Sequence, residues 1–260
     1  LDTDKYVEIC PYGNSTFPIK RIDDAYEIIL GTIDKYGYLL STYNTVIYHR
    51  HNEVGPESEI IKSFPFLEDI QLAACGSSFF AVATARKFLH IFSSAGFEIS
   101  VITLTGRIIT MVGHENFLFV VSGKHHFDLF DVFNHSLVAS GILPIHSPLR
   151  WAGFNQYDHS VLIEGGNHQL LALSYSEGIR WTPVVDLSSH FETTSNGILP
   201  LFIVEVYGNQ VSGVYLDKEA DELETNPFPE NLKDIDFEPP TIESLLDSCV
   251  LSVINYQNSS

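Results

Sequence analysis

Residues 70–103, IQLAACGSSFFAVATARKFLHIFSSAGFEISVIT, contain four short apolar runs separated by small and polar residues. The first run extends from Ile70 to Gly76, and a second (Phe79–Ala83), a third (Phe88–Phe92) and a more polar fourth (Glu98–Ile102) follow it. Runs of this length that are rich in Val, Ile and Phe and bounded by Gly and Ser are typical of β-strands. The segment therefore predicts one sheet of four strands joined by turns.

The same order of predicted strands recurs along the chain. In two further copies the strands are Ile108 to Gly113, Phe117–Val121, Phe127–Phe130 and Leu137–Ser140, then Leu149 to Gly153, Ser160–Ile163, Gln169–Tyr175 and Thr182–Asp186. The strongest apolar runs start near Tyr38, Phe79, Phe117, Ser160 and Leu201. Their spacing of about 40 residues is the period of four-stranded propeller blades. We therefore predict an all-β fold, a β-propeller of about six four-stranded blades.

Three further features bear on how the ring is built. A glycine ends each predicted first strand, where the turn needs either a positive φ or a close approach of the backbone. Tyr6–Ile9 and Val250–Tyr256 are strand-like, and one could complete a blade with the other. Residues 217–247 are acidic and contain prolines, so we predict an insertion in the last blade of a single domain, residues 1–260.

Composition and charge argue against several classes of function. With 260 residues, 45% of them hydrophobic, the chain can bury a large core. The formal net charge of −19 repels phosphate backbones and favours basic partners, so we predict no nucleic-acid binding by this segment. No apolar run approaches the roughly 20 residues of a membrane-spanning helix, so we predict no membrane association.

The three cysteines, Cys10, Cys75 and Cys249, have no short spacing between them. This pattern argues against a disulfide framework and against a zinc knuckle. Each cysteine lies beside an apolar residue, where a free thiol usually packs as a small hydrophobe. We therefore predict reduced cysteines in an intracellular compartment.

The sequence contains no G-x-S-x-G elbow, no P-loop and no H-E-x-x-H pair. The remaining candidates are short pairs: Asp23 with Asp24, Glu68 with Asp69, Asp128 with Asp131, His49 with His51, and His125 with His126. A propeller glycosidase would need two positioned acids, whereas we interpret these acids as loop residues, with Asp131 anchoring a turn. Adjacent histidines point to opposite faces of a strand, and we interpret His49 and His51 as a surface pair. We therefore predict no catalytic, cofactor-binding or metal-binding residues, no cofactor, and a protein that is not an enzyme.

The two tryptophans, Trp151 and Trp181, allow two interpretations. Exposed, they would anchor a protein interface. Buried, their large rings would fill the wedge between neighbouring sheets, and we predict this second role.

Short patches between residues 60 and 255 resemble one family in the right order. They are Leu67–Ile70, Ala81–Thr84, Leu89–Gly96, Leu104–Gly106, Met111–His114, Trp151–Phe154, Trp181–Pro183, Pro239–Thr241 and Val250–Val253. These patches resemble the second (SepB-type) propeller of the replisome adaptors known as chromosome-transmission-fidelity, acidic nucleoplasmic DNA-binding or minichromosome-loss proteins.

The resemblance implies a six-bladed propeller that forms a homotrimer, lies in the nucleus and has no enzymatic activity. It implies a scaffold in DNA replication and chromosome cohesion that links the replicative helicase, through GINS, to DNA polymerase α–primase. In that family a helical bundle follows the propeller and takes up client peptides, and we expect it to lie outside residues 1–260. The alternatives are a monomeric WD40-like interaction propeller of another pathway and a propeller glycosidase.

Overall fold

The structure is a computed structural model that describes residues 6–9, 20–23, 27–51, 59–64, 68–175, 178–194, 197–215 and 233–237. Within these residues the regular secondary structure is β-strand, apart from one short 3₁₀ helix at Leu187–His190. The predicted all-β class is confirmed. Among the same residues, no helix is long and apolar enough to cross a membrane.

The chain forms two compact units, and the first lies mainly within Leu1–Leu143. Its described residues form one hairpin and three four-stranded antiparallel sheets in which strands that are consecutive in sequence are neighbours. Its strands are β1 (Tyr6–Ile9), β2 (Lys20–Asp23), β3 (Leu30–Ile33), β4 (Gly37–Ser41), β5 (Thr45–Arg50), β6 (Glu59–Ser63), β7 (Ile70–Cys75), β8 (Phe79–Thr84), β9 (Phe88–Ser93), β10 (Glu98–Thr103), β11 (Ile108–His114), β12 (Phe117–Ser122), β13 (His126–Asp131) and β14 (Ser136–Ile142).

The second unit lies mainly within Pro144–Glu224 and Pro229–Ser260. The part of it that the structure describes forms a four-stranded sheet (β15–β18), a hairpin (β19 and β20) and a three-stranded sheet (β21–β23). Its strands are β15 (Trp151–Phe154), β16 (Val161–Glu164), β17 (Gln169–Ser174), β18 (Arg180–Asp186), β19 (Glu192–Thr194), β20 (Gly197–Leu199), β21 (Leu201–Tyr207), β22 (Gln210–Tyr215) and β23 (Lys233–Asp236).

Three sheets match the predicted blades strand by strand: β7–β10, β11–β14 and β15–β18. Inside the first unit the first strands of consecutive sheets are neighbours, β3 with β7 and β7 with β11. Inside the second unit β15 lies against β21 through a parallel bridge between Asn155 and Val206. Meandering sheets whose first strands lie side by side are the blades of a propeller. The predicted β-propeller fold is therefore confirmed.

Some details of the predicted order differ from the structure. The apolar runs at Tyr38 and Phe79 belong to second strands, but the run at Leu201 forms β21, the first strand of its sheet. β21 is apolar in sequence yet exposes alternate residues, so its composition did not reveal its rank in the sheet. β23 lies inside the predicted insertion 217–247 and pairs with β22.

Both predicted terminal strands bear on ring closure. Tyr6–Ile9 forms β1, which pairs with β2. Val250–Tyr256 lies outside the described residues, as does most of 217–247. Closure of the ring by the two ends of the chain stays a prediction.

In the sheets of four strands, the second strand is the most deeply buried. Every residue of β8, FFAVAT, is buried, and so is every residue of β16, VLIE. Strands that are covered on both faces read as continuous apolar runs rather than alternating ones. Phe79, Leu89 and Leu118 belong to one core cluster that joins the sheets of β7–β10 and β11–β14. Burial on both faces explains why the second strands gave the strongest signal in the sequence.

The glycines that follow or end two of the first strands, Gly76 and Gly113, serve a close approach of backbone rather than a positive φ. A Cβ at Gly113 would lie 2.2 Å from the carbonyl oxygen of Cys75, and one at Gly76 would lie 2.4 Å from that of Glu115. Both contacts join neighbouring sheets, so these glycines let β7 and β11 pack backbone to backbone. The side chain of Cys75 is buried in a core cluster with Tyr48 and Phe80, and burial raises the pKa of its thiol. Cys10 and Cys249 lie outside the described residues.

Candidate protein-interaction site

The acidic pair Asp128 and Asp131 does not form a catalytic dyad. The two residues are three apart in β13, so their side chains leave opposite faces of the strand. Asp131 accepts hydrogen bonds from the backbone nitrogen (2.9 Å) and the side-chain Nδ2 (2.7 Å) of Asn134. This contact confirms the prediction that Asp131 anchors a turn. Asp128 Oδ1 lies 3.3 Å from Nε2 of His126.

The other acidic pairs are also separated. Glu68 is buried and its Oε1 lies 3.3 Å from Nε2 of His90, whereas Asp69 is exposed. The ring of His90 also has Glu98 Oε1 at 2.8 Å from Nδ1, so one histidine lies between two carboxylates. The side chain of Asp23, and Asp24 as a whole, lie outside the described residues.

His49 and His51 do lie on one side of the sheet, but they are not a surface pair. His49 is buried and stacks on the ring of Tyr38, with 5.0 Å between ring centroids. His51 contacts the same ring at 6.0 Å, and its Nε2 lies 2.9 Å from the carbonyl oxygen of Asp34. The interpretation of His49 and His51 as a surface pair was wrong, because the ring of Tyr38 covers the ring of His49. Among the described residues, no group of three or more His, Cys, Asp or Glu is placed to hold a metal ion.

One charged cluster was not anticipated from the sequence. Glu164, at the end of β16, is buried, and its Oε1 lies 3.2 Å from Nε of Arg150 and 3.1 Å from Nδ1 of His168. Burial raises the pKa of Glu164, and the contacts with His168 and Arg150 act in the opposite direction. A single carboxylate held by an arginine joins strands and turns rather than forming an acid–base pair.

Trp151 packs inside the second unit, as predicted. It lies against a core cluster that includes Leu162 of one sheet and Leu201 of the next. Its ring covers Gly153, where a Cβ would lie 2.4 Å from a ring carbon. Trp181, in β18, is half-buried. The Trp-Ala-Gly-Phe patch therefore reflects packing between blades.

A pocket of about 160 Å³ lies between two neighbouring sheets of the first unit. Ile91, Ile99 and Ile102 of β9 and β10 line one side. The facing side is formed by residues of β13, β14 and the turn between them: Phe130, Val132 and Leu137. A cavity of about 150 Å³ admits a benzene-sized group, so this pocket has room for one apolar side chain.

The surroundings of the pocket favour protein contact over catalysis. Leu137, on its wall, is 54% exposed, and Phe133, in the adjoining turn, is 67% exposed. Among the described residues that line it, the one carboxylate is that of Asp131, which accepts hydrogen bonds from Asn134. We take the pocket with Phe133 and Leu137, named here the β10–β14 groove, as the candidate interaction site.

In the first unit, the turns between first and second strands are tied to one another by polar contacts. Tyr36 donates a hydrogen bond to Oε2 of Glu115 (2.7 Å), and Lys35 forms an ion pair with Oε1 of the same carboxylate. Between these turns, the hydroxyls of Ser77 and Ser78 each lie 3.0 Å from Oδ1 of Asn116. Burial acts to raise the pKa of Glu115, but the hydrogen bonds from Lys35 and Tyr36 outweigh it and hold that pKa below its ordinary value.

The family model described as "Minichromosome loss protein, Mcl1, middle region" matches residues 2–240. The chain belongs to the Mcl1 middle-region family. This family is replication-related, and a propeller within it favours a scaffold or adaptor role. The resemblance read from the sequence patches is thereby confirmed.

This Mcl1-family chain is also similar to individual proteins, at low sequence identity. "Protein ENHANCER OF LHP1 1" of Arabidopsis thaliana is 27% identical over 141 residues, which cover 50% of the chain and 15% of that relative. The chain thus spans a small part of this relative's length. Among solved structures, human WBSCR16 is similar with a TM-score of 0.50 and 9% identity, over 76% of the chain and 63% of the other. A HIRA fragment is similar with a TM-score of 0.46 and 17% identity, over 60% and 49%.

Proposed function

We propose that this Mcl1-family propeller is a non-catalytic scaffold that self-associates into a homotrimer in the nucleus. In this proposal the trimer links the replicative helicase, through GINS, to DNA polymerase α–primase. The observation that carries the proposal is the match of the Mcl1 middle region over residues 2–240, nearly the whole chain. Scaffolds of this kind work through rigid surfaces rather than through a reactive pocket.

The chemistry of the described surface supports a scaffold. The β10–β14 groove is apolar and open to solvent at Phe133 and Leu137. Protein interfaces are built around such exposed anchors, whereas a glycosidase needs two facing acids. A trimer would carry three copies of each client site, and avidity could then raise weak affinities by about 10²–10⁴-fold.

Light scattering tests the assembly. The particle formed by residues 1–260 is expected to have three times the mass of the 29.1 kDa chain across micromolar concentrations. A strictly monomeric particle would contradict the trimer and leave a monomeric interaction propeller as the function. Linkage is tested by co-elution of the protein with GINS and with DNA polymerase α–primase. Capture of only one of the two complexes would contradict the linking role.

A further inference from the structure

Two tyrosine rings project from neighbouring turns of the second unit. Tyr157 lies in the turn after β15, and Tyr207 ends β21. Their rings meet edge to face, with centroids 5.9 Å apart and an interplanar angle of 65°. Tyr157 is 69% exposed and Tyr207 is 59% exposed. Two large rings are thus presented to solvent side by side, a pair named here the Tyr157–Tyr207 surface.

A buried asparagine fixes the backbone beneath this surface. Asn155 is 6% exposed, and its Nδ2 donates a hydrogen bond to the carbonyl oxygen of Gly208 (2.9 Å). Its Oδ1 accepts hydrogen bonds from the backbone nitrogens of Gly208 (2.8 Å) and Tyr157 (3.0 Å). One side chain therefore ties together the two turns that carry the rings. A surface that is ordered before binding loses less entropy when a partner docks.

The charges near the rings are negative. Asp158 follows Tyr157 and is exposed, and Asp236 accepts a hydrogen bond from Gln210 (3.2 Å), which pairs with Tyr207 across β21 and β22. The turn sequences NQYDHS (155–160) and YGNQ (207–210) contain no lysine or arginine. The whole chain has a formal net charge of −19. These charges complement a cationic partner.

We propose that the Tyr157–Tyr207 surface docks an arginine-containing segment of a partner protein. A guanidinium group stacks on tyrosine faces and donates a hydrogen bond to a carboxylate, here to Oδ2 of Asp158. Oδ1 of Asp158 accepts hydrogen bonds from the backbone nitrogen (2.9 Å) and the hydroxyl (2.7 Å) of Ser160, which hold the carboxylate in place. Lysine does only part of this, because its ammonium group is compact, strongly hydrated and unable to form a planar stack. The proposal extends the scaffold function to a second surface and to a partner chemistry, and it holds whether the propeller is trimeric or monomeric.

Fluorescence anisotropy with synthetic peptides tests the docking. The probe is a labelled peptide of glycine and serine with spaced arginines, and the matched peptides carry citrulline or lysine in place of arginine. The arginine peptide is expected to bind saturably, the lysine peptide about tenfold more weakly, and the citrulline peptide not measurably. Absence of arginine-peptide binding, or equal binding of the citrulline peptide, would overturn the proposal.

Variants of the protein locate the binding site. Tyr157→Ala, Tyr207→Ala and the near-isosteric Asp158→Asn are each expected to weaken binding about tenfold, as is usual when an interface anchor is removed. Tyr43→Ala is the matched control, because Tyr43 is 61% exposed and lies in the first unit. Circular dichroism and melting verify that each variant is folded, as expected for exposed side chains. Undiminished binding by the Tyr157→Ala/Tyr207→Ala double variant would overturn the proposal.

Further measurements distinguish the proposed arginine segment from other occupants of the surface, and they test docking separately from trimer formation. A fall in particle mass of the double variant on light scattering would assign the surface to a second copy of the chain and overturn the proposal. Tighter binding of a neutral proline-rich peptide than of the arginine peptide would also overturn it. A monomeric wild-type particle that still binds the arginine peptide would contradict the trimer alone.

Discussion

The turns that join first and second strands bind one another in the first unit, whereas in the second unit they present aromatic rings to solvent. In the first unit Glu115 forms an ion pair with Lys35 and accepts a hydrogen bond from Tyr36, and Asn116 accepts hydrogen bonds from two serine hydroxyls. The polar side chains of these turns therefore bind one another. In the second unit Asn155 satisfies the backbone of the turns, and the rings of Tyr157 and Tyr207 point to solvent. The same position in the blade thus serves internal bonding in one region and presents a surface in the other.

The largest effect is expected in the first unit, whose stability depends on the close approach of the β7 and β11 backbones. Gly113→Ala should lower the free energy of unfolding by about 3 kcal/mol, because the new Cβ would overlap the Cys75 carbonyl oxygen and β7 and β11 would have to separate. Gly31→Ala is the matched control: Gly31 also lies in a first strand, β3, but its Cβ would meet only Leu40 at 3.5 Å. Urea titration measures both variants. Equal stability of the two would refute the role given to the close approach.

Removal of the asparagine in the second unit tests the other side of the comparison. Asn155→Ala should lower the free energy of unfolding by about 2 kcal/mol, because it removes three partly buried hydrogen bonds to the backbone of the two turns. It should also weaken binding of the arginine peptide, since the rings lose their support. Asn209→Ala changes an exposed asparagine of the neighbouring turn and should cost less than about 0.5 kcal/mol. Thermal melting distinguishes the two, and a silent Asn155→Ala would show that the turns hold their shape without it.

The smallest expected effect lies at Glu115. Its pKa is held below its ordinary value in the folded protein, so its stabilising contribution is present at neutral pH and is lost as the pH falls below about 4.5. Glu115→Gln should cost less than about 1 kcal/mol at pH 7, because Lys35 is 62% exposed and solvent screens the pair. The difference between wild type and variant should vanish in acid. A difference that grows as the pH falls would contradict the assigned contacts.

The sequence predicted the parts of the fold that depend on local pattern. Continuous apolar runs such as Phe79–Ala83 identified the buried second strands. For Gly113 the sequence allowed either a positive φ or a close approach of backbone, and the structure shows the close approach. The position of Leu201 in a first strand was missed, because β21 has apolar residues on both faces although one face is exposed.

The contacts that matter most for the candidate sites were beyond the reach of sequence pattern. Tyr157 and Tyr207 are fifty residues apart and meet only because β15 and β21 are neighbours. The ion pair of Lys35 with Glu115 likewise joins turns of two different sheets. A strand period indicates how many sheets there are, but the packing of sheets decides which turns meet.

The thiol of Cys75 is buried in the core cluster that joins the sheets of β3–β6 and β7–β10, so its reactivity reports how often these two sheets of the first unit separate. A thiol with a raised pKa, shielded from solvent, reacts with an alkylating reagent only after the sheets part. With Cys10 and Cys249 replaced by serine, the labelling rate of this one sulfur would report how often the first unit opens. The labelling rate would then show how strongly a bound client, self-association or a substitution hinders this opening.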